Sequence, residues 1–186
     1  MMKKALSLFL AAAMCAGMLT GCGGGADTND ANTSDSGDST AAAFKIGGTG
    51  PLTGDAAIYG NAVKNGAQLA VDEINAEGGV QFELKMEDDE NDPEKAVSAY
   101  NALKDWGVQL SLGSVTSKPG EATATENFAD RIFALTPSAS APAVTEGKDN
   151  VFQMCFSDPN QGTASAEYIA DNQMGTKIAI IYKNDD

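Results

Sequence analysis

Hydrophobic side chains recur along this chain at two alternating spacings. Between about Tyr59 and Glu77 they return every three or four residues, which predicts a helix that ends at Gly78 and Gly79. Over residues 82–86 they return at every second position, which predicts a strand with one buried face. The two spacings follow each other along the rest of the chain, so we expect strands and helices to alternate.

This pattern predicts six strands and four helices after residue 43. The strands are expected at 44–46, 82–86, 108–112, 132–135, 151–156 and 177–182, and the helices at 59–77, 93–107, 119–130 and 161–172. Asp92 is the expected N-cap of the second helix, because Pro93 suits a first helical position. The alternation predicts an α/β fold, with a parallel sheet flanked by helices in three αβα layers. Because the chain stops at Asp186 directly after a predicted strand, we expect it to be truncated.

The first residues read as an export signal. Lys3 and Lys4 precede an uncharged, mostly apolar stretch over 5–19, which is short for a membrane span and typical of a signal peptide. The stretch ends in Leu-Thr-Gly-Cys at 19–22, which resembles the bacterial lipobox, so residues 1–21 are interpreted as a leader and Cys22 as a lipidated residue. A buried N-terminal helix is disfavoured, because glycines follow at once.

A polar segment separates this signal from the predicted fold. Residues 23–43 contain only Gly, Ala, Asp, Thr, Asn and Ser, so they predict a disordered tether that spans roughly 25 Å. The formal net charge of the chain is −14, and it becomes −16 without Lys3 and Lys4. Such a charge argues against nucleic acid or anionic lipid as a partner.

The sequence offers little for catalysis. It contains no histidine, which removes the commonest general base and transition-metal ligand. Once Cys15 leaves with the leader and Cys22 carries lipid, Cys155 has no cysteine to pair with, and its apolar surroundings favour a small buried side chain. We therefore expect a protein that is not an enzyme and that uses neither a cofactor nor a metal.

Three predicted loops are candidates for binding, because ligands of open parallel sheets bind beyond the carboxyl ends of the strands. They are residues 50–60, 113–119 and 136–142, and the last two are rich in hydroxyl side chains. A helix start beside such a loop attracts anions. Capping and turn formation explain the same residues. The glycine-rich turn at 47–51 lacks the spacing of a nucleotide site.

Motifs along 44–186 resemble one known family, the branched-chain amino-acid-binding (leucine/isoleucine/valine) lipoproteins of ABC importers. The motifs are Ile46-Gly47, Gly50-Pro51, Tyr59-Gly60-Asn61, Asn65-Gly66-Ala67, Ile74-Asn75-Ala76, Gly78-Gly79, Asp88-Asp89, Asp92-Pro93, Ala96-Val97, Gly113, Ser117, Thr136-Pro137-Ser138-Ala139-Ser140 and Gln161-Gly162. The resemblance implies the type I periplasmic-binding-protein fold, with residues 44–157 as most of the first lobe and 158–186 as the crossover and the start of the second. It further implies an extracytoplasmic receptor, anchored to the membrane through Cys22, that delivers an amino acid to a permease.

The same resemblance assigns residues to the ligand. They are Tyr59, Thr116, Ser117, Ser138, Ala139 and Ser140. Ser117 would bind the ligand carboxylate through its hydroxyl and backbone N–H, and Ser140 would contact both carboxylate and ammonium. The Ser138 carbonyl would accept from the ammonium, while Tyr59 and Thr116 would line the side-chain pocket. Neutral dipoles would then satisfy both ends of a zwitterion.

Some alternatives remain open. Where relatives have a disulfide this chain has Asn91 and Thr116, and the polar Thr116 puts a purely aliphatic ligand in doubt. Amides, urea or aromatic acids are other ligand classes, and a signalling receptor of the same fold is another role. The acidic run at 88–92 lacks the spacing of a calcium loop, so we interpret it as a solvated strand end with an N-cap. An isolated chain of this kind is expected to be poorly soluble or partly unfolded.

Overall fold

The computed structural model of the chain describes residues 42–182. The strands are β1 (Phe44–Gly50), β2 (Phe82–Asp88), β3 (Leu110–Ser114), β4 (Phe133–Thr136) and β5 (Val151–Gln153), and the helices are α1 (Ala57–Ala76), α2 (Pro93–Trp106), α3 (Ser117–Asp130) and α4 (Asp158–Asp171), with a 3₁₀ turn at Pro142–Val144. Within the described part of the chain, no helix is both long and apolar enough to span a membrane. The predicted leader and Cys22 lie outside these residues.

The five strands form one parallel sheet in the order β2-β1-β3-β4-β5. Helices lie on both faces, because neighbouring residues of a strand point to opposite sides. On β1, the space beside Gly47 is filled by Leu103 and Val108, which belong to α2 and the residues just after it. Ile46 instead faces α1. The predicted three-layer α/β arrangement is confirmed.

We call the side covered by α2 and α3 the closed face. Tyr100 and Leu103 of α2 are almost fully buried there, and small residues of α3, β4 and β5 form a second cluster. The phenol oxygen of Tyr100 donates a hydrogen bond of 2.9 Å to Asp130 of α3, which ties the two helices together. Burial, followed by the hydrogen bond to Asp130, raises the pKa of Tyr100 well above its ordinary value. Most of the buried side chains lie on this face.

We call the opposite side the open face. Helix α1 covers it only over β1 and β2, and a cavity of about 170 Å³ remains beneath the helix. Its lining residues are Ile46, Ala67, Ala70, Val71, Ile74, Phe82, Leu84 and Leu112. Over β4 and β5, Phe133 and Phe152 stack at 5.4 Å between ring centroids and are 45% and 47% exposed. Within residues 42–182 no element covers them.

Local signals at the helix ends act as predicted. The carboxylate of Asp92 accepts hydrogen bonds from the backbone N–H groups of Glu94 and Lys95, both at 2.9 Å, and caps α2. This prediction is confirmed, and Pro93 opens the helix. At the other end Gly107 takes the left-handed conformation that commonly ends a helix. Helix α2 is therefore closed at both ends by its own sequence.

Strand β3 contains a bulge that periodicity did not predict. Gly47 pairs with Ser111 and Thr49 pairs with Ser114, so β3 has one more residue than β1 between these pairs. Gly113 sits in the extra step at φ 63°, a conformation that favours glycine. As a result Ser111 and Ser114 are both buried on the closed face, although simple alternation would place them on opposite faces.

Several predicted boundaries were wrong. Strand β1 continues to Gly50 through glycines interpreted as a turn, because the sheet extends on both sides of it. Strand β3 lies two residues later than predicted, since the bulge extends its pairing. Strand β5 ends at Gln153 rather than at 156. Helix α1 begins at Ala57, α3 at Ser117 and α4 at Asp158, two or three residues earlier than predicted.

The sixth predicted strand is wrong for residues 177–182, which form neither strand nor helix. Ile180 and Ile181 are exposed, and a parallel strand needs a hydrogen-bonding neighbour that nothing in 42–182 supplies. Helix α4 forms as a helix but has no buried residue. The packed part of the described chain therefore ends near Cys155, which is half-buried with its Sγ 3.5 Å from the Ala139 carbonyl oxygen.

Candidate functional site

The candidate site is a cleft of about 290 Å³ at the carboxyl edge of the sheet. It is lined by Tyr59, Val115, Thr116, Ser117 and Ser138. The three loops that surround it follow β1, β3 and β4. The structure thus brings four of the six predicted ligand residues into one cleft, while Ala139 and Ser140 are not among its lining residues.

Ser117 connects the second and third loops at the start of α3. Its Oγ accepts the backbone N–H of Ser140 at 3.2 Å and that of Ala141 at 3.3 Å. A hydroxyl has two acceptor positions and one proton, so both acceptor positions are occupied and the proton is left to donate. No group within residues 42–182 accepts that proton. Ser117 therefore presents a donor to the cleft.

Thr116 lies beside Ser117 in the cleft wall. Its Oγ1 is buried and has no hydrogen-bond partner in the described chain. It stands at the N-cap position of α3, yet its side chain makes no capping bond. A buried polar atom without a partner costs free energy, so a second hydroxyl here is available for a bound group.

The start of α3 adds backbone donors to the same place. The first N–H of the helix that bonds back into the chain is that of Gly120, which donates to the Thr116 carbonyl at 2.8 Å. Pro119 has no N–H, so the unpaired donors at this helix start are those of Ser117 and Lys118. They point along the positive end of the helix dipole, which favours an anionic group.

The third loop contributes its backbone more than its side chains. The hydroxyl of Ser138 donates to the Val115 carbonyl at 2.5 Å, so it holds this loop to the second one. The Ser138 carbonyl accepts no hydrogen bond from residues 42–182 and remains a free acceptor. Ala139 is fully buried, and its side chain faces Gly120 rather than the cleft. The backbone N–H of Ser140 is occupied by Ser117.

Tyr59 forms the opposite wall and is 64% exposed. Its position is set by Gly60, where an added Cβ would lie 2.0 Å from the carbonyl oxygen of Pro51. Only glycine permits this contact between α1 and the first loop. The first turn of α1 is thereby held against the cleft.

Asp88 is a residue of the site region that the sequence analysis missed. Its Oδ1 accepts the Leu52 N–H at 2.8 Å, and its Oδ2 accepts the Thr53 hydroxyl at 2.5 Å, so it anchors the first loop. Burial alone would raise the pKa of Asp88, but hydrogen bonds from the Thr53 hydroxyl and three backbone N–H groups outweigh it and lower that pKa. No local signal marks this role, because the loop that Asp88 anchors lies 35 and 36 residues earlier in the chain.

Asp89 contradicts our interpretation of 88–92 as a solvated strand end. Its side chain is 0% exposed, and its carboxylate accepts the Asn91 N–H and the Ser114 hydroxyl, both at 2.9 Å. Burial raises the pKa of Asp89, and these hydrogen bonds offset only part of that effect. The interpretation failed because the bulge in β3 turns Ser114 toward this carboxylate.

Comparison with known proteins gives consistent matches. Residues 43–186 match the family described as "Periplasmic binding protein". The Leu/Ile/Val-binding protein BraC3 of Rhizobium johnstonii is 39% identical over 140 residues, which cover 73% of this chain and 38% of that protein. The leucine-, isoleucine-, valine-, threonine- and alanine-binding protein of Pseudomonas aeruginosa is 35% identical over 144 residues, which cover 75% of this chain and 38% of that protein.

A solved structure extends the similarity to three dimensions. The branched-chain amino acid transporter substrate binding protein LivJ of Streptococcus pneumoniae, in complex with isoleucine, superposes with a TM-score of 0.65 at 33% identity over 70% of this chain and 38% of that one. The chain therefore spans 38% of the length of each of these relatives. The family resemblance and the fold class expected from the sequence are confirmed.

Proposed function

Because this chain belongs to the periplasmic binding protein family, we propose that it binds an amino acid outside the cell for delivery to an ABC importer. Family membership rests on the match over residues 43–186. The relatives named above are described by the branched-chain and small amino acids they bind, which supports the same ligand class for this cleft.

The observation that carries the proposal is the set of unused polar groups at the cleft. Ser117 has a free hydroxyl proton, Thr116 has a buried hydroxyl without a partner, and α3 starts beside them. Together they form a donor set suited to a carboxylate. The free Ser138 carbonyl supplies an acceptor for an ammonium group. A zwitterion needs this combination of donors and an acceptor.

The cleft wall also bears on which amino acid binds. Tyr59 and Val115 offer apolar surface, whereas Thr116 places a hydroxyl among them. This mixture supports small or hydroxyl-bearing amino acids in addition to aliphatic ones. The relative from Pseudomonas aeruginosa is named for threonine and alanine as well as leucine, isoleucine and valine.

The remaining parts of the proposal concern the whole protein. We infer that residues 44–157 form most of one lobe, that 158–186 begin a second, and that the ligand is held between them. Lipid on Cys22 would anchor the receptor to the outer face of the membrane, and a permease would receive the ligand. The role is that of a carrier and not of an enzyme, which agrees with a chain that has no histidine.

The test is a titration of the purified protein with L-leucine, L-threonine and two blocked leucines, followed by NMR at backbone amides. We expect both free amino acids to shift the Ser117 and Lys118 signals, and N-acetyl-leucine and leucinamide to bind more weakly. Ser117→Ala should cost about 1–3 kcal/mol of binding free energy for L-leucine, because it removes a charge-assisted hydrogen bond.

Ser98→Ala is the matched control, because this exposed hydroxyl bonds only to the Glu94 carbonyl within α2. It should leave the affinity unchanged. Equal affinities of Ser117→Ala and the unmodified protein for L-leucine would remove the hydroxyl from the site. Equal binding of leucinamide and leucine would remove the carboxylate from the recognition scheme.

A further inference from the structure

The Asp88-Asp89 motif contains one residue, Asp89, that has no part in the function described so far. Asp88 anchors the first loop, but Asp89 is buried beneath the sheet edge and does not reach the cleft. A buried carboxylate costs free energy unless its hydrogen bonds are satisfied. The hydrogen-bond partners of Asp89 therefore indicate its structural role.

The contacts of Asp89 lead from β2 to the third loop. Asp89 accepts the Ser114 hydroxyl at 2.9 Å, and the Ser114 carbonyl accepts the hydroxyl of Thr136 at 2.7 Å. The same Thr136 oxygen accepts the backbone N–H of Ala139 at 3.1 Å. All four residues are buried, with exposures between 0% and 1%. The series crosses from β2 to β4 without involving solvent.

The series continues to the cleft through the backbone. Once the Ala139 N–H is held, the next two N–H groups point at the Ser117 hydroxyl, which accepts both. The Ser138 carbonyl lies on the other side of the same peptide unit as the Ala139 N–H. Donor and acceptor groups proposed for the zwitterion therefore both depend on where Thr136 places this loop.

We propose that Asp89 is a positioning residue for the binding cleft, and that it acts through Ser114 and Thr136 to set the third loop against the start of α3. The inference rests on the proposed function of the cleft, and it assigns Asp89 no contact with the ligand. The bulge in β3 makes this arrangement possible, because it turns Ser114 onto the face where Asp89 lies.

The test measures amide hydrogen exchange in the third loop without ligand, and then the affinity for L-leucine. Thr136→Val keeps the shape of the side chain but removes its hydroxyl, and Thr136→Ser keeps the hydroxyl. In the ligand-free protein, we expect Thr136→Val to speed amide hydrogen exchange at Ser140 and Ala141 by at least about tenfold, because it removes both the bond to the Ser114 carbonyl and the bond from the Ala139 N–H. Thr136→Ser should exchange as the unmodified protein does. L-leucine affinity should fall in parallel in Thr136→Val only.

Thr123→Val is the matched control, because Thr123 is equally buried and its hydroxyl bonds to the Pro119 carbonyl within its own helix. It should leave exchange in the third loop unchanged. Asp89→Asn tests the far end of the series and should speed the same two amides. Where Asp89→Asn fails to fold, Ser114→Ala removes the same contact from the other side and decides the question.

The outcomes separate the two proposals. If the unmodified protein binds no amino acid, the proposed function fails, while the exchange ratios still decide whether Asp89 positions the loop. If Asp89→Asn or Ser114→Ala folds and the third loop exchanges at the unmodified rate, the positioning role is overturned. If Thr136→Val alone changes the loop, the series ends at Thr136 and Asp89 has no part in it.

Discussion

The two faces of the sheet differ in what they contain. The closed face buries Tyr100 and Leu103 together with the polar series from Asp89 to Thr136. The open face also has large apolar side chains, yet Phe133 and Phe152 remain about half exposed and a cavity lies beneath α1. The second and third loops of the cleft are thus supported from the closed face, whereas the Tyr59 wall belongs to α1, which lies on the open face. Exposed apolar surface therefore does not by itself identify the position of the binding cleft.

The largest expected effect is a truncation in the closed core. Leu103 is 1% exposed and packs against β1, so Leu103→Ala should lower the free energy of unfolding by about 2–5 kcal/mol. Leu69→Ala is the matched control on α1, where Leu69 is 60% exposed. It should change stability by less than about 0.5 kcal/mol. Urea unfolding followed by circular dichroism measures both changes, and equal costs would contradict the tight packing of Leu103.

A smaller effect is expected at the first loop, and it depends on pH. The folded pKa of Asp88 lies below its ordinary value of 3.8, so its stabilisation is present above that value and is lost as pH falls through the folded pKa. Asp88→Asn should therefore lower the melting temperature at neutral pH and have little effect at pH values below the folded pKa. Melting curves across the acid range test this.

Glu83→Gln is the control for Asp88→Asn, because it removes an acidic residue from the same strand without breaking a hydrogen bond in the described chain. At neutral pH it should lower the melting temperature less than Asp88→Asn does. The melting temperatures of Asp88→Asn and the unmodified protein could instead differ by the same amount in strong acid as at neutral pH. That result would show that the Asp88 carboxylate does not anchor the loop by its charge.

The smallest effect is expected on the open face. Phe152→Ser removes a stacked ring from a half-exposed position, so it should cost no more than about 1 kcal/mol. Because it also removes exposed apolar surface, we expect less self-association in sedimentation velocity. A cost comparable to that of Leu103→Ala would mean that the open face is as well packed as the closed one.

Local chemistry made the fold predictable from sequence. The Asp92-Pro93 helix start, the glycines after α1 and the period-two run of β2 each depend on neighbours a few residues away. Strand β1 was cut short in the prediction because its glycines have poor strand propensity, whereas pairing on both sides overrides that preference. Residues 177–182 have the composition of a strand but no partner within 42–182.

The candidate site was predictable in part. Residues 116, 117 and 138 line one cleft, as neighbours at the ends of adjacent strands should, and their contacts with a ligand stay a prediction. The buried position of Asp89 was not predictable, because it depends on which way Ser114 points, and that in turn depends on a bulge set by pairing with β1. Contacts between residues distant in sequence decided this part of the site.

The extra residue in β3 makes the length of that strand as important as its composition. In any alignment of this chain with its relatives, a gap placed one position away within 111–114 would equate a side chain on the closed face with one on the open face. With the gap misplaced in this way, a serine that is present in both proteins would be aligned with a different residue. Spacing, and not residue identity alone, is therefore the property to compare at this strand.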